Sequence, residues 1–160
     1  MESGIDRFDV SELARRAHCS RATVYRHVGG RTQIVEEVLT RVSSDIVATV
    51  VDHVRDLTGR ERAVTALTVA LAAARSHSIT SQALAGGRTV HFRALLESPT
   101  VTMIAADLIG LDSPGDGRAQ LAVRTFLSLL LWPPGEGEVG QLALLADLIH
   151  AGTALVSEGP

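Results

Sequence analysis

The chain is 160 residues long, 46% hydrophobic and 21% charged, with a formal net charge of −3. That length suits one domain with a small appended module, and the apolar fraction excludes a disordered chain, which could not bury enough surface to offset its ordering entropy. A lone Cys19 excludes a disulfide framework and a cysteine-based zinc site, and fits a reducing cytoplasm.

The opening segment, Met1 to Val10, carries acids and no apolar core, so it does not read as a signal peptide. Asp9-Val10-Ser11-Glu12 then has the pattern of a capping box, with Asp9 at the N-cap and Glu12 at N3. It predicts a short helix with Val10, Leu13, Ala14 and Ala17 turned inward. His18-Cys19-Ser20 has the length of a tight turn. Ser20 can cap a second short helix, Arg21 to Val28, with Val24 and Val28 spaced i, i+4. Gly29-Gly30 stops that helix.

A long helix follows from Arg31 to Leu57. Ile34, Val35, Val38, Leu39, Val42, Ile46, Val50, Val54 and Leu57 recur along it at three- and four-residue steps. Its many β-branched residues assign its stability to packing more than to propensity. Thr58-Gly59-Arg60-Glu61 is a second capping pattern and opens an Ala-rich helix to Ser76. Ile79 to Leu111 is less regular, broken at Gly86-Gly87 and at Pro99, where Ser98-Pro99 reads as N-cap and N1. After the loop Asp112 to Gly117 come two last helices, Arg118 to Leu131 and Val139 to Val156, around a Pro- and Gly-rich turn. The longest apolar run, Phe126 to Pro134, is far short of the roughly 20 residues that span a bilayer. No alternating strand pattern and no internal repeat is present, so the expected fold is all-α, in a soluble cytoplasmic protein without a membrane span.

Charge is distributed unevenly. Between Ser11 and Arg31 five arginines (15, 16, 21, 26 and 31) face a single acid, Glu12, while the rest of the chain is acidic. Two short helices joined by a tight turn, the second one basic, describe a helix-turn-helix. DNA binding of this kind needs cations for phosphates and small hydroxylated residues near the start of the recognition helix. Ser20, Arg21, Ala22, Thr23, Tyr25, Arg26 and His27 supply that mixture. A solvated helical hairpin with incidental arginines is the alternative.

The run Asp9 to Val28, followed by Gly29-Gly30-Arg31-Thr32-Gln33-Ile34, resembles the signature of the TetR family of transcriptional regulators. The match lies at Leu13-Ala14, Ala17, Ser20, Thr23, Tyr25, His27 and Arg31. The resemblance implies that Thr23 and Tyr25 sit at the groove, with Tyr25 and His27 bonded to backbone phosphates. It also gives Arg31, where the family usually has Lys, a phosphate at the start of the long helix, whose N-terminus favours anions. Arg21, Ala22 and Arg26 are the candidate readers of base edges. Tyr25 could instead pack against the long helix, and His27 could satisfy a turn carbonyl. Two departures stand out: Val28 replaces the usual Phe as a plug against the long helix, and Gly30 replaces the frequent Ser or Thr N-cap. A third is larger. Gly4-Ile5-Asp6 aligns with the turn that ends the family's first helix, so the module is expected to be truncated, with Met1 near the end of a longer first helix.

The resulting division is a DNA-binding module at 1–34 and a helical effector-binding and dimerisation domain at 35–160. The last two helices carry leucine on more than one face (Leu121, Leu127, Leu129 and Leu130; then Leu142, Leu144, Leu145 and Leu148). A second apolar face calls for a partner, and a homodimer through residues 118–156 supplies it. If the resemblance holds, the middle of the chain forms a small-molecule effector site, with His77, Gln82, His91, Arg93 and Met103 as its polar and soft candidates. The low aromatic content, 3%, favours an aliphatic ligand. No cofactor and no metal is expected: the six histidines show no metal-ligand spacing and no Gly-rich loop follows a strand, so an enzyme is not indicated. The expected function is a ligand-released repressor acting as a homodimer on a palindromic operator in double-stranded DNA. The rival is a dimeric helical ligand- or partner-binding protein that has lost DNA binding.

Overall fold

In the computed structural model, residues 9–78, 80, 95–112, 115 and 117–155 are described, without the side chains of 31, 32, 35, 36, 39 and 152–155. The expectations for the first helix, for the turn Gly4-Ile5-Asp6 and for the break at Gly86-Gly87 lie outside the described residues. Among those described, the helices are α1 (Val10–Arg16), α2 (Arg21–Val28), α3 (Arg31–Val54), α4 (Gly59–Ser76), α5 (Pro99–Leu108), α6 (Arg118–Leu131) and α7 (Glu138–Leu155), and no strand occurs. The fold is all-α. The described chain divides into two compact units, one of 9–45 with 76–78 and 80, the other of 46–75 with the residues from 95 on. α3 contributes to both.

In the first unit α1 packs on α2. Val10, Ala14 and Val24 form its buried cluster, with Leu13, Cys19 and Ile34 partly buried against them. Ala17 is exposed, contrary to its inward assignment, because α1 ends at Arg16 and the chain turns away at that point. Val28 is also corrected. It stands 50% exposed at the last position of α2.

In the second unit α3 ends at Val54 and not at Leu57, because the Leu57 N–H turns back to the Val54 carbonyl at 3.1 Å. α4 lays Ala63, Ala66, Leu67, Leu71 and Ala74 inward, one apolar face along the helix. Ser98 caps α5 with Pro99 at N1, as the sequence predicts, its hydroxyl accepting from the Val101 N–H. α5 packs on α6, and α6 on α7. Leu71, Leu142, Ile149, Val50 and Val54 are the largest fully buried side chains.

Arginines fasten this unit. Arg62 donates to the carbonyls of Leu108 (3.1 Å), Asp107 (2.9 Å) and Val54 (3.4 Å), gathering the C-terminal ends of α5 and α3 on one guanidinium. Those carbonyls lie at helix C-termini, where the negative end of the helix dipole favours a cation, and those of Val54 and Asp107 also accept from the Leu57 and Gly110 N–H groups. Arg75 grips Glu138, at the start of α7, with two bonds of 2.8 and 2.6 Å and also reaches the Leu129 carbonyl. Arg118 donates to the carbonyl of Ile149, and Arg60 pairs with Asp147.

Candidate nucleic-acid interface

The geometry of the first unit is set locally. Asp9 is extended and its Oδ1 accepts from the Ser11 N–H at 2.8 Å, which starts α1. That backbone bond, reinforced by the nearby Arg21, holds the Asp9 carboxyl below its ordinary range. Glu12 does not close the capping box back onto Asp9. Its Oε2 takes the Arg15 Nε at 2.8 Å, and its Oε1 takes both Arg15 Nη2 at 2.6 Å and Arg16 Nε at 2.8 Å. These bonds lower its pKa to about 2, Arg15 contributing most.

α1 ends in a Schellman turn. The His18 N–H returns to the Arg15 carbonyl (3.3 Å) and the Cys19 N–H to that of Ala14 (3.0 Å). The motif places one residue in the left-handed region, and here that residue is His18, at φ 51°. The turn brings Ser20 to the N-cap of α2, where its Oγ accepts from the Thr23 N–H at 3.1 Å and lies 2.9 Å from the Thr23 hydroxyl. Thr23 is therefore engaged locally and half-buried.

With Val24 anchoring α2 on Val10 and Ala14, the opposite face is presented outward. Ser20, Arg21, Ala22, Tyr25, Arg26 and His27 are all exposed. No acid lies on α2, and Arg26 and His27 fall in its last turn. Tyr25 is 49% exposed. Its ring edge lies close to the start of α3, 3.9 Å from where a Cβ on Gly30 would stand.

The junction between α2 and α3 carries a cap that the sequence reading missed. Gly29 closes α2 at φ 77°, and the Gln33 side chain lies so close that a Cβ there would meet it at 2.9 Å. Gln33 Oε1 accepts from the Gly30 N–H at 2.6 Å. Gln33 thus supplies the N3 half of a capping box at a helix whose N-cap glycine has no side chain to give. The spacing Gly30-x-x-Gln33 was the available signal. Arg31 is the first residue of α3, and its side chain lies outside the described residues.

Of the expected effector contacts, His77 is half-buried just beyond α4, while Met103 stands 56% exposed on α5. Gln82, His91 and Arg93 lie outside the described residues. Among the described residues no helix is long and apolar enough to cross a membrane, and no three of His, Cys, Asp or Glu gather as a metal site.

Compared with known families, residues 1–38 match the model for bacterial regulatory proteins of the tetR family. No curated protein and no solved structure matches the chain.

Proposed function

We propose that this chain, whose residues 1–38 make it a TetR-family DNA-binding transcription regulator, is a repressor that acts as a homodimer and is released by a small molecule. The observation that carries the DNA-binding part is the exposed, acid-free face of α2 beside a capped α3 N-terminus. Arg21 and Arg26, with Ala22 between them on the outward face, are assigned to base edges. Tyr25, His27 and Arg31 are assigned to phosphates, and Ser20 and Thr23, which also hold the start of α2, to the groove.

Dimerisation is assigned to α6 and α7, within residues 118–156. Leu144 and Leu148 stand 61% and 58% exposed on α7 and Leu121 45% exposed on α6, an apolar surface that a single chain leaves in water. Two copies would offer two recognition helices to half-sites about 34–36 Å apart, and an effector that favours any other spacing releases DNA. On this reading the DNA-binding module is 1–34 and the body 35–160, and the effector contacts come from His77, Gln82, His91, Arg93 and Met103. The protein works in the cytoplasm, where its DNA lies.

The test is binding of the full chain to duplexes flanking its own gene, followed by fluorescence anisotropy, with mass in solution measured alongside. Expected are a dimer and saturable, sequence-dependent binding that Arg21→Ala weakens and makes less selective. A folded dimer whose DNA binding is indifferent to Arg21→Ala and Tyr25→Phe would overturn the reading in favour of a ligand- or partner-binding protein.

A further inference from the structure

α1 carries charge that the recognition helix does not account for. Glu12, Arg15 and Arg16 sit at i, i+3 and i+4 and so share one face of the helix. The face opposite them, Val10 and Ala14, is the one buried with Val24. Glu12 is the only acid between Val10 and Arg31. Its carboxylate binds both guanidinium groups at once, with the forked geometry that an arginine pair offers equally to a phosphate.

We propose that Arg15 and Arg16 form a second phosphate-binding surface for duplex DNA, and that Glu12 masks it and thereby limits attachment to DNA of arbitrary sequence. The inference rests on the DNA-binding reading above. Both arginine side chains are more than 70% exposed, at 72% and 74%, so a phosphate reaches them without any unfolding. Ion pairs this exposed are weak and exchange readily, so Glu12 competes with phosphate and does not exclude it. In a helix-turn-helix the first helix of the pair crosses the sugar-phosphate backbone, which brings this face within reach of the polyanion. The lowered pKa of Glu12 keeps the mask charged across the range in which DNA is stable. Phosphate contacts add affinity without sequence information, so masking two of them favours the contacts made by α2 over non-specific ones.

The experiment compares the full chain with E12Q, the triple variant E12Q/R15Q/R16Q, and E136Q, which removes an equal charge from an exposed loop of the other unit. Each is titrated against a labelled duplex of scrambled sequence, about 30 base pairs long, between about 50 and 200 mM salt. Circular dichroism checks that each is folded. Unmasking up to two phosphate contacts steepens the slope of log K against log salt by at most about 1.8 in E12Q, so its advantage at low salt shrinks by up to about tenfold across that range. The triple variant falls back to the parental slope or below it, and E136Q keeps the parental one. An unchanged slope in E12Q, or a steeper slope that survives in the triple variant, overturns the masking while leaving the regulator reading intact. Failure of every folded form to bind any DNA overturns both.

Discussion

In the unit that holds α1 and α2, the arginines whose side chains are described stand at the surface, and Arg15 and Arg16 meet a carboxylate one turn away. In the unit that holds α4 to α7, Arg62, Arg75 and Arg118 reach across to backbone carbonyls of other helices. The chain contains no lysine, so one residue type does both kinds of work. What separates them is the partner. A guanidinium bonded to backbone carbonyls is satisfied within the fold and is structural, whereas one facing water is available to an anion. The hydrophobic anchors divide the same way. α1 and α2 rest on Val10, Ala14 and Val24, while the other unit buries Leu71, Leu142 and Ile149.

That contrast breaks first in the large core. Leu142→Ala empties a fully buried site and is expected to lower the free energy of unfolding by about 2–5 kcal/mol. Val24→Ala removes two methyl groups from a small cluster and is expected to cost about 1.5 kcal/mol. Urea denaturation measures both, and equal losses would erase the difference between the units. Next comes Arg62→Met, which keeps much of the stem but takes a charged donor from three carbonyls at two helix ends, of which only those of Val54 and Asp107 keep a backbone N–H. A loss of about 1.5–3 kcal/mol follows from hydrogen bonds to a charged group. Arg62→Lys offers a single point of contact and recovers part of it. Arg21→Ala reverses the pattern. Stability stays within about 0.5 kcal/mol, as for other surface positions, while discrimination at the contacted base pair falls by about 1–3 kcal/mol. A large stability loss at Arg21 would remove it from the group of free cations.

The local devices of this fold were legible in the sequence and the distant ones were not. Asp9, Ser20 and Ser98 each cap the helix that their position announces, because a cap involves residues no more than three apart. The bounds of α2 and α6 fall where Ser20, Gly29 and Gly117 put them. Glu12 was legible by position and misread in use, since Arg15 and Arg16 outbid a backbone N–H for its carboxylate. Ala17 and Val28 have the right spacing to be buried, yet each lies at a helix end where no neighbour covers it. The bonds of Arg62, Arg75 and Arg118 join residues far apart in the chain, and no local pattern encodes them. Arg21, Tyr25 and their neighbours were legible because a recognition helix needs its chemistry on one short stretch.

Acid sharpens the comparison through Glu138. Its carboxyl is held below the ordinary glutamate value, chiefly by the hydrogen bonds of Arg75. A depressed folded-state pKa means that the contribution is whole above the unfolded value, near 4.5, and is lost as pH falls through the folded one. Thermal unfolding followed from pH 6 to pH 3 should therefore show a steeper fall for the parent chain than for Glu138→Gln. Identical curves would mean that the Arg75 clamp holds α7 without the glutamate charge.

The smallest effect concerns two helix ends built alike. α5 closes with the same pair of bonds as α1: the Gly110 N–H returns to the Asp107 carbonyl and the Leu111 N–H to that of Ala106. Gly110 occupies the left-handed position at φ 73°, and a Cβ there would press on Arg62 Cδ at 2.9 Å, so glycine is required both by the backbone and by the arginine packed over it. His18 holds the equivalent position in α1 at φ 51°, where a side chain costs about 1–2 kcal/mol of steric strain. Glycine would relieve that strain but bring back about 0.5–1 kcal/mol of unfolded-chain entropy. His18→Gly is thus expected to stabilise the protein by about 0.5–1 kcal/mol, read as a rise in Tm, and Gly110→Ala to destabilise it by more than that. Should His18→Gly prove destabilising, the imidazole must contribute more to the turn than its backbone costs, and the two helix ends would no longer be equivalent.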